Sequence, residues 1–285
     1  MITRPHVKIN LGLNVLRKRL DGYHDLETLF LPYTGYHDTL EIIPGDGWSE
    51  TSASLFARYG ASGEEIPTLA QAIRPDGKVM ATIARAEGVD WDPLKDLTVK
   101  AYALLEQDFS MPPVKIFLEK TSPVGAGLGG GSADAAFALR MYNDLFGLEL
   151  TDEALAGYAA RLGSDCALFI WDRPMFGEGR GEILTPWDLD LSAYDLQVIV
   201  PEGIAVSTAE AYRGIVPGMP EEPLRSVLAR PVGEWPGRLV NDFEKTVFAL
   251  HPQLGAIKQS LYDAGAAYAA MSGSGSALFA LFPKD

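Results

Sequence analysis

From Val7 to Val15 apolar and polar side chains alternate, with Val7, Ile9, Leu11, Leu13 and Val15 set against Lys8, Asn10, Gly12 and Asn14. A period of two predicts a half-buried strand with Lys8 and Asn10 on its polar face. The Leu20-Asp21-Gly22 turn leads through Tyr23-His24 into a second strand over 26–33, and 38–43 forms a third strand-like run. Together they predict an antiparallel start. Residues 44–75, rich in Gly, Ser and Pro and weak in period, read as an elaborated loop containing a helix over 65–73.

Leu97, Ala101, Leu104 and Leu105 recur at helical spacing, and 114–118 is a short strand that delivers the chain to a glycine-rich loop. Beyond the loop the pattern predicts a helix from about Ser132 to Phe146, stopped by Gly147, then a second helix from Thr151 to near Gly163. The apolar run 167–171 reads as a strand. Past Met175 the pattern restarts: a glycine-rich turn at 177–181, a strand over 196–200, a Pro-rich stretch over 217–236, and a helix marked by Leu254, Ile257 and Leu261. Strands over 268–271 and 277–282 flank Ser272-Gly-Ser-Gly-Ser276. Both halves mix helices with hairpin-like strands, which predicts an α+β fold. A 285-residue chain accommodates two domains, placed at 1–176 and 177–285.

Hydrophobic residues make up 47% and charged residues 22%, as in folded globular proteins. Twenty-four basic against thirty-eight acidic residues leave a charge of −14, which repels nucleic-acid backbones and anionic membranes. A small polyanion remains compatible, because backbone amides bind phosphate locally. The single Cys166 forms no internal disulfide, so a reducing compartment, the cytoplasm, is expected. No apolar run approaches the roughly 18 residues of a membrane span, and no signal peptide is expected.

The loop Pro123-Val124-Gly125-Ala126-Gly127-Leu128-Gly129-Gly130-Gly131-Ser132 holds five glycines in seven residues. Gly125, Gly127 and Gly130 fit the dinucleotide fingerprint between a strand and a helix, but that fold then needs a parallel strand, and here a second helix follows. A Walker A loop needs lysine where Gly131 stands. Close backbone packing is a further reading of the glycines. Five of them cost more chain entropy than one tight contact requires, and amides ahead of a helix N-terminus form an anion site, so a phosphate chain is the expected ligand.

This loop, Val7-Lys8-Ile9-Asn10-Leu11 and Met271-Ser-Gly-Ser-Gly-Ser276 stand in the order of three motifs of the GHMP kinases. The chain resembles that superfamily, which includes galactokinase, homoserine kinase and mevalonate kinase, over nearly its whole length. Lys8-Ile-Asn-Leu11, Asp21-Gly-Tyr-His24 and Gly163-Ser-Asp165 are similar to its members that act on a diphosphocytidyl-linked methylerythritol in the non-mevalonate isoprenoid route. The resemblance implies a ribosomal-S5-like N-terminal and a ferredoxin-like C-terminal domain. It also implies transfer of the γ-phosphate of ATP, with Mg²⁺, to a hydroxyl of that small-molecule acceptor. A homoserine or mevalonate kinase and a catalytically silent nucleotide-binding module are the alternatives.

By position alone Lys8 is either a solvated outer lysine or a cleft cation; the resemblance implies that it meets the reacting hydroxyl and phosphate. Asp165 reads as a helix N-cap or turn residue, and by resemblance as the general base. Tyr23 and His24 read as an exposed hairpin tip. The resemblance implies that they grip cytosine, with Tyr212, four residues after Thr208, covering its other face and Thr208 a further substrate-binding residue. Asn10 is expected to orient substrate oxygens, Gly125 to Ser132 to offer amides to ATP, and Ser132 to touch Mg²⁺ or phosphate. Ser272, Gly273, Ser274 and Gly275 read by composition as a linker, or, being short and set between two apolar strands, as a tight functional loop, which the resemblance implies braces the phosphate end. The chain departs from the family pattern in a long 45–95 segment, in Asp96 where asparagine is common near adenine, and in His6-Val7 in place of a small-residue pair.

Overall fold

A computed structural model describes residues 1–60 and 66–284. Along the chain come β1 (Ile2–Thr3), β2 (His6–Lys18), β3 (His24–His37), β4 (Thr39–Pro44), α1 (Ser52–Tyr59), β5 (Leu69–Ile73) and β6 (Val79–Arg85). These are followed by α2 (Leu97–Leu105), β7 (Val114–Lys120), α3 (Gly130–Phe146), α4 (Asp152–Leu162), α5 (Cys166–Trp171), β8 (Met175–Glu178) and β9 (Ile183–Pro186). The last are β10 (Tyr194–Ile199), α6 (Thr208–Arg213), α7 (Leu224–Leu228), α8 (Phe243–Leu250), α9 (Pro252–Asp263), β11 (Tyr268–Met271) and β12 (Leu278–Pro283). Contacts divide the chain into two units, one formed by Met1–Val7, Thr34–Ser122 and Gly129–Asp172, the other by Lys8–Tyr33, Pro123–Leu128 and Arg173–Asp285.

The first unit is built on a five-stranded sheet in the order β1-β4-β7-β6-β5, antiparallel except for the parallel pair β6–β7. Alternation sends Leu40, Ile42, Ile116 and Leu118 to one face, all fully buried. On the other face Ile43, Ala84 and Phe117 pack with Leu55 of α1. Glu41, also buried, is the strand residue that starts α1: its carboxylate accepts from Ser49 Oγ (2.6 Å), Glu50 N (2.8 Å) and Thr51 N (3.1 Å). Burial alone would raise its pKa, but these hydrogen bonds outweigh it and hold the carboxyl below its usual range. Helices α2 to α5 form a bundle around α3. Asp96 caps α2 through Thr98 N (2.9 Å), Thr151 caps α4 through Ala154 N (3.3 Å), and Gly147 ends α3 at φ +58°. His6 joins Asp172 at the end of α5 at 2.8 Å.

The second unit contains the β2-β3-β8-β9 sheet and an antiparallel β10-β12-β11 sheet, the latter packed with α6, α8 and α9. Its core joins Leu13 and Val15 of β2 to Phe243, Val247, Leu254, Met271 and Leu278. This mixed architecture is the α+β class expected.

Three local expectations are corrected. The helix over 65–73 is not present where the chain is described: Leu69–Ile73 is a strand paired with β6, and 61–65 lie outside the described residues. The cause is the Pro75-Asp76-Gly77 turn, closed by Arg74 N to Val79 O (2.8 Å) with Gly77 at φ +75°, which makes 69–85 a hairpin. The surrounding loop also contains α1. The strand over 167–171 is instead helix α5, buried from Cys166 to Ile170; a short apolar run buried on all sides carries no period that separates helix from strand. The first strand is buried on both faces, Lys8, Asn10 and Asn14 included.

Candidate active site

The second unit brings together Lys8, Asn10, the first part of the glycine loop and the Ser272–Ser276 turn. Lys8 is 3% exposed, so it is no solvated outer lysine. Its Nζ donates to Asn10 Oδ1 (2.6 Å) and to the Gly127 carbonyl (2.9 Å), and its backbone N–H donates to Leu128 O (2.9 Å). The ammonium also stands 5.6 Å from the Phe30 ring centre. Asn10 Nδ2 donates to Thr28 Oγ1 (3.0 Å), which leaves its amide oxygen toward the lysine.

Glycine at 127 is required twice over. Its φ is +77°, and a Cβ there would lie 2.5 Å from Ser272 O and 3.0 Å from Gly275 O. The glycine loop thus presses backbone to backbone on the turn between β11 and β12, and Ala277 N donates to Ala126 O (3.1 Å). Gly273 and Gly275 hold φ of +54° and +86°, and Ser274 Oγ lies 3.3 Å from Thr208 Oγ1. Ser272 Oγ accepts from Asn10 N (3.2 Å). Asn241, which carried no sequence signal, braces this turn with Nδ2 donating to Met271 O and Gly273 O at 2.8 Å each.

A second cluster of the same unit is aromatic. The D-G turn forms as expected, with Tyr23 N donating to Asp21 Oδ1 (3.1 Å) and Gly22 at φ +87°. The His24 ring stacks on Tyr212, centroids 4.7 Å apart and planes inclined by 20°, and Tyr212 meets Phe243 edge-on. Tyr23 is 56% exposed, with the Arg180 guanidinium 4.9 Å from its ring centre. Burial, and secondarily Lys18, lowers the His24 pKa from its ordinary value. A neutral imidazole, one donor and one acceptor, is therefore the form at pH 7.

The first unit holds the rest of the loop and Asp165. Gly129 caps α3 at φ +74°, opening the first-turn amides, and Gly131 is exposed. Gly130 has no space for a Cβ, which would lie 2.7 Å from Ser122 Oγ. Ser132 hydrogen-bonds the Cys166 thiol, which burial pushes up to about 12, so the thiol keeps its proton. That contact sets the start of α5 beside the start of α3. Asp165 occupies the N-cap position of α5 but its side chain makes no cap bond; it accepts from Ser164 Oγ at 3.3 Å. Asp96 is committed to capping α2, where it also accepts from Thr98 Oγ1 (2.7 Å).

Sequence reasoning missed a buried charge cluster beneath this segment. Lys120 Nζ donates to Asp38 and to Asp134 Oδ2 (2.6 Å), while Asp38 also accepts from Thr121 N, Ser122 N and Ser122 Oγ, each at 2.7 Å. Burial would lower the Lys120 ammonium, but the two carboxylates more than offset it and raise its pKa. Asp134 is driven far above the carboxylate range, first by burial and then by Asp38, and its Oδ1 has no partner among the described residues. Two acids sharing one buried cation favour the state in which one is protonated. Among the described residues no group of three or more His, Cys, Asp or Glu side chains could hold a metal ion, and no helix is long and apolar enough to cross a membrane.

Comparison with known proteins adds to this geometry. The GHMP kinases N terminal domain model matches residues 96–173, and the GHMP kinases C terminal model matches 224–285. A 4-diphosphocytidyl-2-C-methyl-D-erythritol kinase of Bacteroides fragilis is 48% identical, covering 100% of this chain and 93% of the relative. One of Parabacteroides distasonis is 43% identical over 100% of this chain and 92% of its own. A crystal structure of 4-(cytidine 5'-diphospho)-2C-methyl-D-erythritol kinase superposes with a TM-score of 0.72 at 29% identity, covering 99% of this chain and 90% of that one. The chain belongs to the GHMP kinases and, within them, to the family of the 4-diphosphocytidyl-2-C-methyl-D-erythritol kinases.

Proposed function

We propose that this protein is a kinase transferring the γ-phosphate of ATP to the 2-hydroxyl of 4-diphosphocytidyl-2-C-methyl-D-erythritol, a step in isoprenoid precursor biosynthesis. The observation that carries the choice of acceptor is end-to-end likeness to enzymes of that name, at identities up to 48%. The stacked His24–Tyr212 pair with Tyr23 nearby in sequence supports it, since an aromatic cluster suits a pyrimidine and has no purpose for homoserine or mevalonate.

Phosphoryl transfer needs positioning and charge neutralisation more than covalent help. The glycine loop fits a phosphate chain: its backbone is uncovered at Gly131, and side chains are sterically barred at Gly127 and Gly130. Bound ATP supplies the transferable phosphoryl group, with Mg²⁺ carried on its phosphates and Ser132 as the side chain suited to contact either. Lys8, buried and fixed by Asn10 and Gly127, keeps an ammonium at the loop to offset charge on the transferring group. Asp165 accepts the proton of the acceptor hydroxyl. Tyr23, His24 and Tyr212 hold the base, Asn10 orients acceptor oxygens, Thr208 is a further substrate contact, and Ser272 to Gly275 support the phosphate loop.

An ATP-coupled assay comparing the diphosphocytidyl alcohol with homoserine and mevalonate tests the proposal. Turnover of the first alone is expected. Preference for either of the others, or nucleotide binding without turnover of any, would overturn it.

A further inference from the structure

The loop between β8 and β9 places an arginine beside the aromatic cluster. Gly179 and Gly181 flank Arg180 at φ +70° and +106°, and Gly181 N donates to Glu178 O (3.0 Å), closing a tight turn. Leu26 N donates to Gly179 O (2.7 Å), so the turn is fastened to β3 just past His24. Arg180 N is further held by Glu182 Oε2 (2.5 Å). The backbone is therefore pinned at three points, and the guanidinium lies over the Tyr23 ring, 4.9 Å from its centre.

The charge around this hairpin tip distinguishes Arg180 from its neighbours. Arg17 is paired with Asp25, and Arg19 with Asp21 (3.3 Å) and Asp25 (3.6 Å). Among the described residues Arg180 pairs with Glu182 through a long contact, Nε to Oε1 at 3.4 Å, and its side chain is 40% exposed. An exposed pair at that distance holds a guanidinium weakly. In a protein of net charge −14, a loosely held arginine beside a base-stacking ring is suited to an anion attached to that base. Its planar fork matches two phosphate oxygens at once.

We propose that Arg180 is a binding residue for the diphosphate that joins cytidine to the acceptor alcohol, an inference that rests on the function proposed above. Tyr23 takes the base, and the guanidinium at its side pairs with the phosphates, so that this arginine separates cytidine diphosphate from cytidine. Lys18, whose charge acts on His24, is the competing cation.

The test measures cytidine and CDP binding by calorimetry in the full chain, alongside steady-state kinetics. Arg180→Ala is expected to weaken CDP about 10- to 100-fold, the loss of charge-assisted hydrogen bonds, and to leave cytidine unchanged. KM for the diphosphocytidyl alcohol should rise about 10-fold or more with KM for ATP unmoved, and Arg180→Lys should restore part of the loss. Equal loss of cytidine and CDP would mean that Arg180 only braces Tyr23, and overturns the proposal. So does an unchanged CDP affinity, or a CDP preference abolished by Lys18→Met and not by Arg180→Ala. If the wild-type chain phosphorylates the diphosphocytidyl alcohol and these outcomes arise, only the Arg180 assignment falls. Absence of wild-type turnover removes the function and this inference with it.

Discussion

The roles proposed for Lys8 and Asp165 are separable by single substitutions. Lys8→Met removes a buried ammonium that grips Gly127, so turnover should drop about 10²- to 10³-fold, the scale of one preorganised electrostatic contact. Asp165→Asn removes the carboxylate proposed to accept the hydroxyl proton while keeping the shape of the side chain, which makes no cap bond to α5. It should cost about 10²- to 10⁴-fold in kcat with little change in melting temperature. Near-normal kcat in Asp165→Asn, with both substrates bound, would sink the base assignment. The buried acids differ from each other in the same manner. Asp134, raised above the carboxylate range, must hold a proton in the folded state that the unfolded chain releases, so it destabilises increasingly as pH climbs above 3.8. Asp134→Asn should therefore be tolerated at pH 7, and gain on the parent as pH rises in urea titrations. Asp38→Asn, stripping a group that accepts four hydrogen bonds, should lose about 3 kcal/mol or more.

Among elements, α1 depends on one strand residue. Glu41 has a depressed pKa, so its contribution is complete above its unfolded value of 4.5 and disappears as pH falls through the folded value. Glu41→Gln should lose about 1.5–3 kcal/mol at pH 7 by urea denaturation, and the gap to the parent should close in acid. A gap independent of pH would show that packing and not charge holds the start of α1. The elements also show which sequence signals carry. α2, α3, α4 and α9 are legible because periodicity coincides with punctuation, as with Thr151 before α4 and Gly147 after α3. α5 is illegible because tertiary burial surrounds it, and the 69–85 hairpin was hidden by weak alternation, although Pro75-Asp76-Gly77 stated its turn.

At the scale of the molecule, chain order and spatial units do not coincide. Leu13 and Val15 belong to the core that contains α8, α9 and β12, and β8 pairs with β3 at Leu29 and Phe176. A fragment beginning at residue 177 should therefore show a flat near-ultraviolet circular dichroism spectrum, whereas the full chain gives a structured one; a structured fragment would contradict this dependence. The motifs that identify the family were legible because each is a local string with a fixed order. What joins them was not: Lys120 finds Asp38 across 82 positions, and Asn241 finds Gly273 across 32 with no motif to announce either. The close approach at Gly127 has one more consequence. Since Ala277 N donates to Ala126 O, the start of β12 is sewn to the glycine loop. Nucleotide binding should slow hydrogen–deuterium exchange at Ala277. That amide, far from every loop glycine in sequence, is then a built-in reporter of whether the nucleotide is in place.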